Sequence, residues 1–271
     1  METKDYILRG GSEGRERLRI LARVMRPTTL DALRRAGIAA GMNCLDVACG
    51  GGDVACDMAR IIGPSGFVVA TDIDKPPLEI AQSEAQQQKL ANIEFRYSDI
   101  TTEAFEPEFD LVHARFILHH LTDPAAAVKR LQKALKRGGV LVVEDVDVGG
   151  WFCHPDCPAF WRFVELYTET ARRRGANAKI GRQLPSLLLN AGFEDVNVNI
   201  VQPAGIVGEV KLLSPLTMQY VGSAVLAAGL AGQKEIDDLV DELFTYARTG
   251  GTLGTMPPVV EAWAVNRTPM G

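Results

Sequence analysis

Asn43-Cys44-Leu45-Asp46-Val47-Ala48-Cys49-Gly50-Gly51-Gly52-Asp53 is the stretch that decides the fold. A short β-type run, Cys44 to Val47, ends in a glycine cluster and turns directly into a helical run, Asp53 to Ile62. A strand that passes through glycines into a helix leaves backbone N–H groups and an approachable main chain at the carboxyl edge of a sheet, where nucleotide ligands bind. A loop of this kind also serves as a plain structural turn, so its meaning depends on its surroundings.

Outward from the loop, the β-type runs Phe67 to Thr71, Ile93 to Tyr97, Leu111 to Ala114 and Val140 to Val143 alternate with helical runs at Pro77 to Leu90 and Pro124 to Lys136. Strands separated by helices require crossover connections, which predicts an α/β, doubly wound and mostly parallel sheet. A helix at Gln183 to Ala191, then strands at Val196 to Val201 and Val259 to Val265, complete a seven-stranded series. Two helical stretches, Tyr6 to Arg26 and Thr28 to Ala36, precede the sheet, and Gly37 ends the second. The spacing divides the chain into an N-terminal helical cap at 1–40 and a core at 41–150. Aromatic and helical lid insertions are predicted at 151–180 and 203–255, and returns to the sheet at 181–202 and 256–271.

The 271 residues are 46% hydrophobic and 23% charged, enough apolar material for a substantial core. A net charge of −5 argues against gripping a phosphate backbone, which needs clustered Lys and Arg, so a small-molecule partner is expected and no nucleic acid. The first twenty residues are charged, and no run approaches the roughly 18 apolar residues of a membrane span. The expectation is a cytoplasmic protein with no membrane association. Five scattered cysteines predict reduced thiols. Assembly as a homodimer is left open by this sequence.

Two carboxylates follow later strands. Asp72 ends the run Gly66-Phe67-Val68-Val69-Ala70-Thr71, where an acid can accept both hydroxyl hydrogens of a ribose or, alternatively, cap a helix. Ser98-Asp99-Ile100 follows the third strand and offers a carboxylate to an adenine amino group beside an apolar side chain for the ring, or a simple turn.

Taken together these segments resemble the class I S-adenosylmethionine-dependent methyltransferases, with the small-molecule and ubiquinone-biosynthesis-like branches nearest in character. Leu45 to Gly52 resembles their first motif, Val69 to Asp74 their second and Ser98 to Ile100 their adenine turn. Phe109 to Arg115 with Leu118-His119-His120-Leu121 resembles the fourth-strand motif, and Leu135 to Gly139 the turn before the fifth strand. The resemblance implies a Rossmann-like methyltransferase fold and S-adenosyl-L-methionine as cofactor, with S-adenosyl-L-homocysteine as product. It places Gly50 and Gly52 against the methionine part, Asp72 at the ribose, and Asp99 and Ile100 at the adenine, with Ala48 and Ile73 among the cofactor-binding residues. Asp46 steadies the loop or meets the amino group, Arg115 and His120 belong to the same binding set, and Tyr6 folds over the methionine end. The chain departs from the pattern at Ala48, where the family's first glycine is usual, and at Arg137, which replaces a common proline.

The loop also separates this reading from a dinucleotide oxidoreductase. A dehydrogenase needs Gly-x-Gly-x-x-Gly so that a helix N-terminus can meet a pyrophosphate. Asp53 on the first turn of the following helix would repel a pyrophosphate and suits a cationic sulfonium.

Methyl transfer asks mainly for alignment and exclusion of water, with a base where the nucleophile is a hydroxyl or an acidic carbon. His119 and His120, in the turn after the fourth strand, are candidates for the base or for capping and orienting roles. His154 in the lid is a third candidate, and His113, inside the strand, is as readily a packing residue. Glu144 and Asp145 are read as ending the fifth strand, where they orient a substrate or are structural. Cys153-His154-Pro155-Asp156-Cys157 reads as a lid turn and not a metal site. Trp151, Phe152, Phe160, Trp161, Phe163 and Tyr167 pack the lid, and any ring left facing the cleft suits a flat substrate. The expected function is methyl transfer to O, N or C of a small metabolite, with an aromatic or polyketide-like body. The alternative is a non-methylating cyclase, pericyclase or cofactor-binding protein on the same fold.

Overall fold

The computed structural model describes residues 12–268. Helix α1 (Ser12–Arg35) leads into β1 (Asn43–Val47), α2 (Asp53–Ile62), β2 (Phe67–Asp72), α3 (Lys75–Gln87), β3 (Ile93–Tyr97), β4 (Phe109–Arg115), α4 (Pro124–Ala134) and β5 (Leu135–Val146). The second half contains β6 (Cys153–His154), α5 (Pro158–Arg173), α6 (Leu184–Asn190), β7 (Glu194–Val201), β8 (Ala204–Gly205), α7 (Leu213–Ala227), α8 (Gln233–Arg248), β9 (Leu253–Thr255) and β10 (Val259–Val265).

The main sheet has seven strands in the order β3-β2-β1-β4-β5-β10-β7. The first five are parallel, and β10 runs antiparallel between β5 and β7. The order reverses direction at β1 and β4, which pair through Asp46↔His113, so the crevice beyond their carboxyl ends is the topological switch point. Apolar residues bury both faces: Leu45, Val112 and Leu141 with α4 and α6 on one side, and Cys44, Met58, Ile62 and Val142 with α2 on the other.

Several boundaries differ from the sequence expectation for identifiable reasons. The two N-terminal stretches form one helix, α1, that carries Pro27 in its interior. Proline removes one N–H rung, yet Met25, Ala32 and Leu33 on either side of it are all fully buried, and that packing holds the axis through the break. Strand β5 begins at Leu135, so the Lys136-Arg137-Gly138-Gly139 segment is a distorted strand start and not a free turn. It ends at Val146, beyond Glu144 and Asp145, both of which are buried.

The lid segments pack as a third layer around Trp151, Phe160, Phe163, Met218 and Leu243, joined by Ile20, Leu21 and Met25 of α1. Trp151 meets Phe160 and Phe163 edge-on at 5.5 and 5.2 Å between centroids, so most of the lid's aromatic density is packing. A three-stranded sheet in the order β6-β9-β8 was not anticipated from sequence. Its two- and three-residue strands are too short to carry a periodic signal. Buried Lys211 holds this region by donating to the carbonyls of Ile206 and Thr249 and to the Thr252 hydroxyl. No helix of the described residues is long and apolar enough to cross a membrane.

Candidate active site

The glycine loop turns sharply at the end of β1. Ala48 has φ +55°, Gly50 +53° and Gly52 +75°. The Gly50 N–H donates to Asp72 Oδ2 at 2.8 Å, and the Asp74 N–H donates to Asp72 Oδ1 at 2.9 Å. Asp72 therefore ties the end of β2 to the loop, while Asp74 and not Asp72 takes the helix N-cap position. Burial pushes the Asp72 carboxyl up from its ordinary value, against the pull of the Asp74 and Gly50 N–H groups.

Gly50 and Gly52 have different tasks. A Cβ on Gly50 would meet nothing nearer than Leu18 Cδ1 at 3.9 Å, so the main chain there faces open cleft. A Cβ on Gly52 would lie 2.6 Å from Phe95 Cε1 and 2.9 Å from Ala81 Cβ. Gly52 lets α2 start against α3 and β3, and it does not line the main cleft.

Beneath the loop, Asp46 Oδ1 accepts from His113 Nδ1 at 2.7 Å, and Glu144 Oε1 accepts from His113 Nε2 at 2.9 Å. Both partners are acceptors, so both ring nitrogens carry hydrogen and His113 is an imidazolium. Burial opposes that charge, but the two carboxylates outweigh it and raise the His113 pKa to about 9. The network continues from Glu144 Oε2 through the Thr29 hydroxyl to Arg115. Glu144 is thereby committed to the protein interior and is not a substrate ligand. Asp46 Oδ2, by contrast, has no hydrogen-bond partner among the described residues, and Asp46 lines the cleft.

After β4 the chain makes a 3-10 turn, Leu118–His120. Asp145 Oδ1 accepts from His119 Nδ1 at 2.6 Å and Asp145 Oδ2 from the His119 N–H at 3.1 Å, which fixes ring and backbone together. The ring of His120 stacks on His119 with centroids 3.7 Å apart. Burial, His119, Arg17 and Arg174 hold His120 well below its ordinary pKa, so it is neutral.

These groups share one cleft of about 430 Å³. Of the residues singled out from the sequence, Asp46, Ala48, Gly50, Asp72, Ile73, Arg115, His119 and His120 line it. Others do not join it. Asp99 Oδ1 accepts from the Thr101 N–H and hydroxyl, closing a local turn, and Ile100 is buried in the core beneath the sheet edge. His154 is exposed on β6 and outside the cleft, because the small sheet turns it away. Tyr6 lies outside the described residues. The cleft also contains residues that sequence reasoning did not assign: Arg17 from α1, Thr217 from α7, and Met256 and Pro257 before β10. No local pattern marks them, since they come together only when the lid packs.

Residues 38–175 match the family described as a methyltransferase domain, which is more than half of the chain. The chain belongs to this methyltransferase family. Among curated relatives, a demethylmenaquinone methyltransferase of Lactococcus lactis is 32% identical over 136 residues, covering 50% of this chain and 52% of its own. A ubiquinone biosynthesis O-methyltransferase of Acinetobacter baylyi is 38% identical over 38% of this chain and 43% of its own. The chain thus spans about half the length of the curated relatives it matches. A methyltransferase structure from Bacillus halodurans, at 21% identity, aligns with TM-score 0.59 over 88% of this chain and 98% of that one. The cyclase SpnF, also 21% identical, aligns with TM-score 0.56 over 91% and 82%. Both show the same Rossmann-like fold.

The cofactor of this class I family is S-adenosyl-L-methionine, and the residues present fit it. The orphaned Asp46 Oδ2 is a buried anionic acceptor at the loop floor, suited to the cofactor's ammonium. The main chain at Gly50 is open enough that it would admit the methionine part, and Asp72 at the end of β2 would be the acid to meet the ribose. Asp53 at the start of α2 keeps the entrance anionic, which favours a cation over a pyrophosphate.

Proposed function

We propose that this protein transfers a methyl group from S-adenosyl-L-methionine to an oxygen, nitrogen or carbon atom of a small molecule. For a hydroxyl or acidic carbon, the His119–Asp145 pair is the base. The observation that carries this reading is the 2.6 Å His119–Asp145 contact on the wall of the same cleft as Gly50 and Asp72. When bound, the cofactor supplies a methyl carbon made electrophilic by its adjacent sulfonium. Asp145 occupies Nδ1 and leaves Nε2 of His119 to take the acceptor's proton, while the carboxylate stabilises the imidazolium that results. Asp46 and Asp72 hold the cofactor's polar ends. Trp151, Leu213 and Met256 close the cleft with apolar surface, which excludes water and suits an aromatic or polyketide-like acceptor.

The experiment is incubation of the full chain with methyl-labelled cofactor and a pool of small metabolites, alongside calorimetry with S-adenosyl-L-homocysteine. Label in an extractable product supports the proposal. Tight binding of S-adenosyl-L-homocysteine without transfer to any acceptor would overturn it in favour of a cyclase-like or cofactor-holding role.

A further inference from the structure

Arg17 is a cation of the cleft that the mechanism above leaves unused. Helix α1 carries it into the wall beside Leu18 and opposite α5 and α7. Its Nε donates to the Thr217 hydroxyl at 3.2 Å, which sets the plane of the guanidinium. Among the described residues its Nη1 and Nη2 have no acceptor, and no acid forms an ion pair with it. Among the described residues most arginines are paired, as Arg23 is with Glu209, Arg26 with Asp57 and Arg162 with Glu235. Arg115, also on the cleft wall, donates to Thr29 and feels the charge of Asp53.

The ionisable groups that bear on Arg17 in compensation are the phenols of Tyr167 and Tyr220. Tyr167 is itself kept protonated, its pKa raised to about 12 by burial, so it is no counterion. Asp145, the carboxylate nearest in function, is committed to His119. Arg17 is half-buried, and taking a guanidinium partly out of water with no anion beside it costs solvation. Among the described residues no anion therefore answers Arg17 in this half of the cleft, and the walls around it are apolar, with Leu18, Val148 and Leu213.

We infer that Arg17 anchors a carboxylate on the acceptor molecule, so that the substrate is a small apolar acid; this rests on reading the cleft as a methyl-transfer site. Nη1 and Nη2 form a planar fork that matches the two oxygens of a carboxylate, with Thr217 holding the third nitrogen. A phosphate dianion would ask for more than one unpaired cation, and His120 is held neutral. The apolar body of the acid lies against the lid, while its reacting atom lies toward His119.

The test is calorimetry on the full chain saturated with S-adenosyl-L-homocysteine, using benzoate, cinnamate and octanoate, each compared with its amide. At least one acid is expected to bind about tenfold or more tightly than its amide. In Arg17→Met that preference is expected to vanish, with affinity for S-adenosyl-L-homocysteine unchanged within about twofold. Arg17→Lys should keep part of it, and Thr217→Val, which removes only the hydroxyl that orients the fork, should reduce it by about threefold. The lysine and valine variants keep the inference testable should the methionine variant fail to fold. No preference in any pair, a preference that survives Arg17→Met, or tighter binding of phenyl phosphate than of every acid would overturn it. Acid binding through Arg17 without methyl transfer would leave this inference standing and overturn the methyl-transfer reading.

Discussion

Asp46 Oδ1 lies 2.7 Å from His113 Nδ1, across the β1–β4 pair at the switch point of the sheet. One oxygen of the carboxylate is neutralised by the protein's own imidazolium, and the other has no hydrogen-bond partner among the described residues. The loop floor is in this way rigid and still anionic toward the cleft.

Removing the imidazolium strands two buried carboxylates. His113→Leu is expected to lower stability by about 3–5 kcal/mol, the usual loss when one partner of a buried ion pair is deleted. Urea denaturation of the two proteins measures this directly. A loss below about 1 kcal/mol would show that His113 is neutral in the fold.

The pH dependence of stability has two windows. His113 is raised from 6.5 to about 9 by Asp46 and Glu144 against the effect of burial, so its contribution is complete below pH 6.5 and is lost as pH rises through about 9. Glu261, opposite Glu144 in the β10–β5 pair, is raised from 4.5 to about 7, by burial first and by Glu144. Its contribution is complete below pH 4.5 and is lost as pH rises through about 7. Glu261→Gln should flatten the lower window and spare the upper one. Denaturation midpoints taken across pH 4.5 to 9 decide it, and an unchanged lower slope would exclude Glu261 as the titrating group.

Ala48 and Gly52 place opposite demands on the loop. A left-handed Ala48, at φ +55°, carries roughly 1 kcal/mol of strain, so Ala48→Gly is expected to stabilise by up to about that amount. Gly52→Ala drives a methyl into Phe95 and Ala81 and is expected to cost about 2–4 kcal/mol. Thermal melting of both variants, read together, tests this: a neutral Gly52→Ala would refute the packing role.

Asp72 anchors the loop through Gly50 and lines the cleft, where the proposed function has it hold the ribose. Asp72→Ala is expected to weaken binding of S-adenosyl-L-homocysteine by roughly 1–3 kcal/mol in calorimetry. Undiminished affinity would remove Asp72 from the cofactor site.

If His119 is the base, His119→Ala should lower kcat by about 10²–10⁴-fold on an acceptor that loses a proton. Asp145→Asn should lower it too, by mis-setting the ring tautomer, while cofactor affinity stays the same. Equal loss of kcat and of cofactor affinity would point to a collapsed turn and not to proton transfer.

The core was legible because its signals are local. The Leu45–Gly52 loop, Asp72 and the alternation of short apolar strands with helices each lie within a few residues, and periodicity together with glycine chemistry reports them without knowledge of the rest of the chain. The second half of the chain carried weaker signals. The β6-β9-β8 sheet joins segments a hundred residues apart through strands of two or three residues, and α1 stays helical through Pro27 only because buried neighbours hold it there.

The doubly wound sheet, the glycine loop and the acid after β2 follow from the order of residues alone, because backbone geometry and residue type suffice for those. Only tertiary structure decided which groups meet in the cleft. It gave Glu144 to His113, Asp145 to His119 and Gly52 to helix packing, turned His154 outward, and brought Arg17 beside Thr217 across 200 positions. Side-chain partnership is set by burial and by the cost of leaving a polar group unpaired, and neither can be read from a position in the chain.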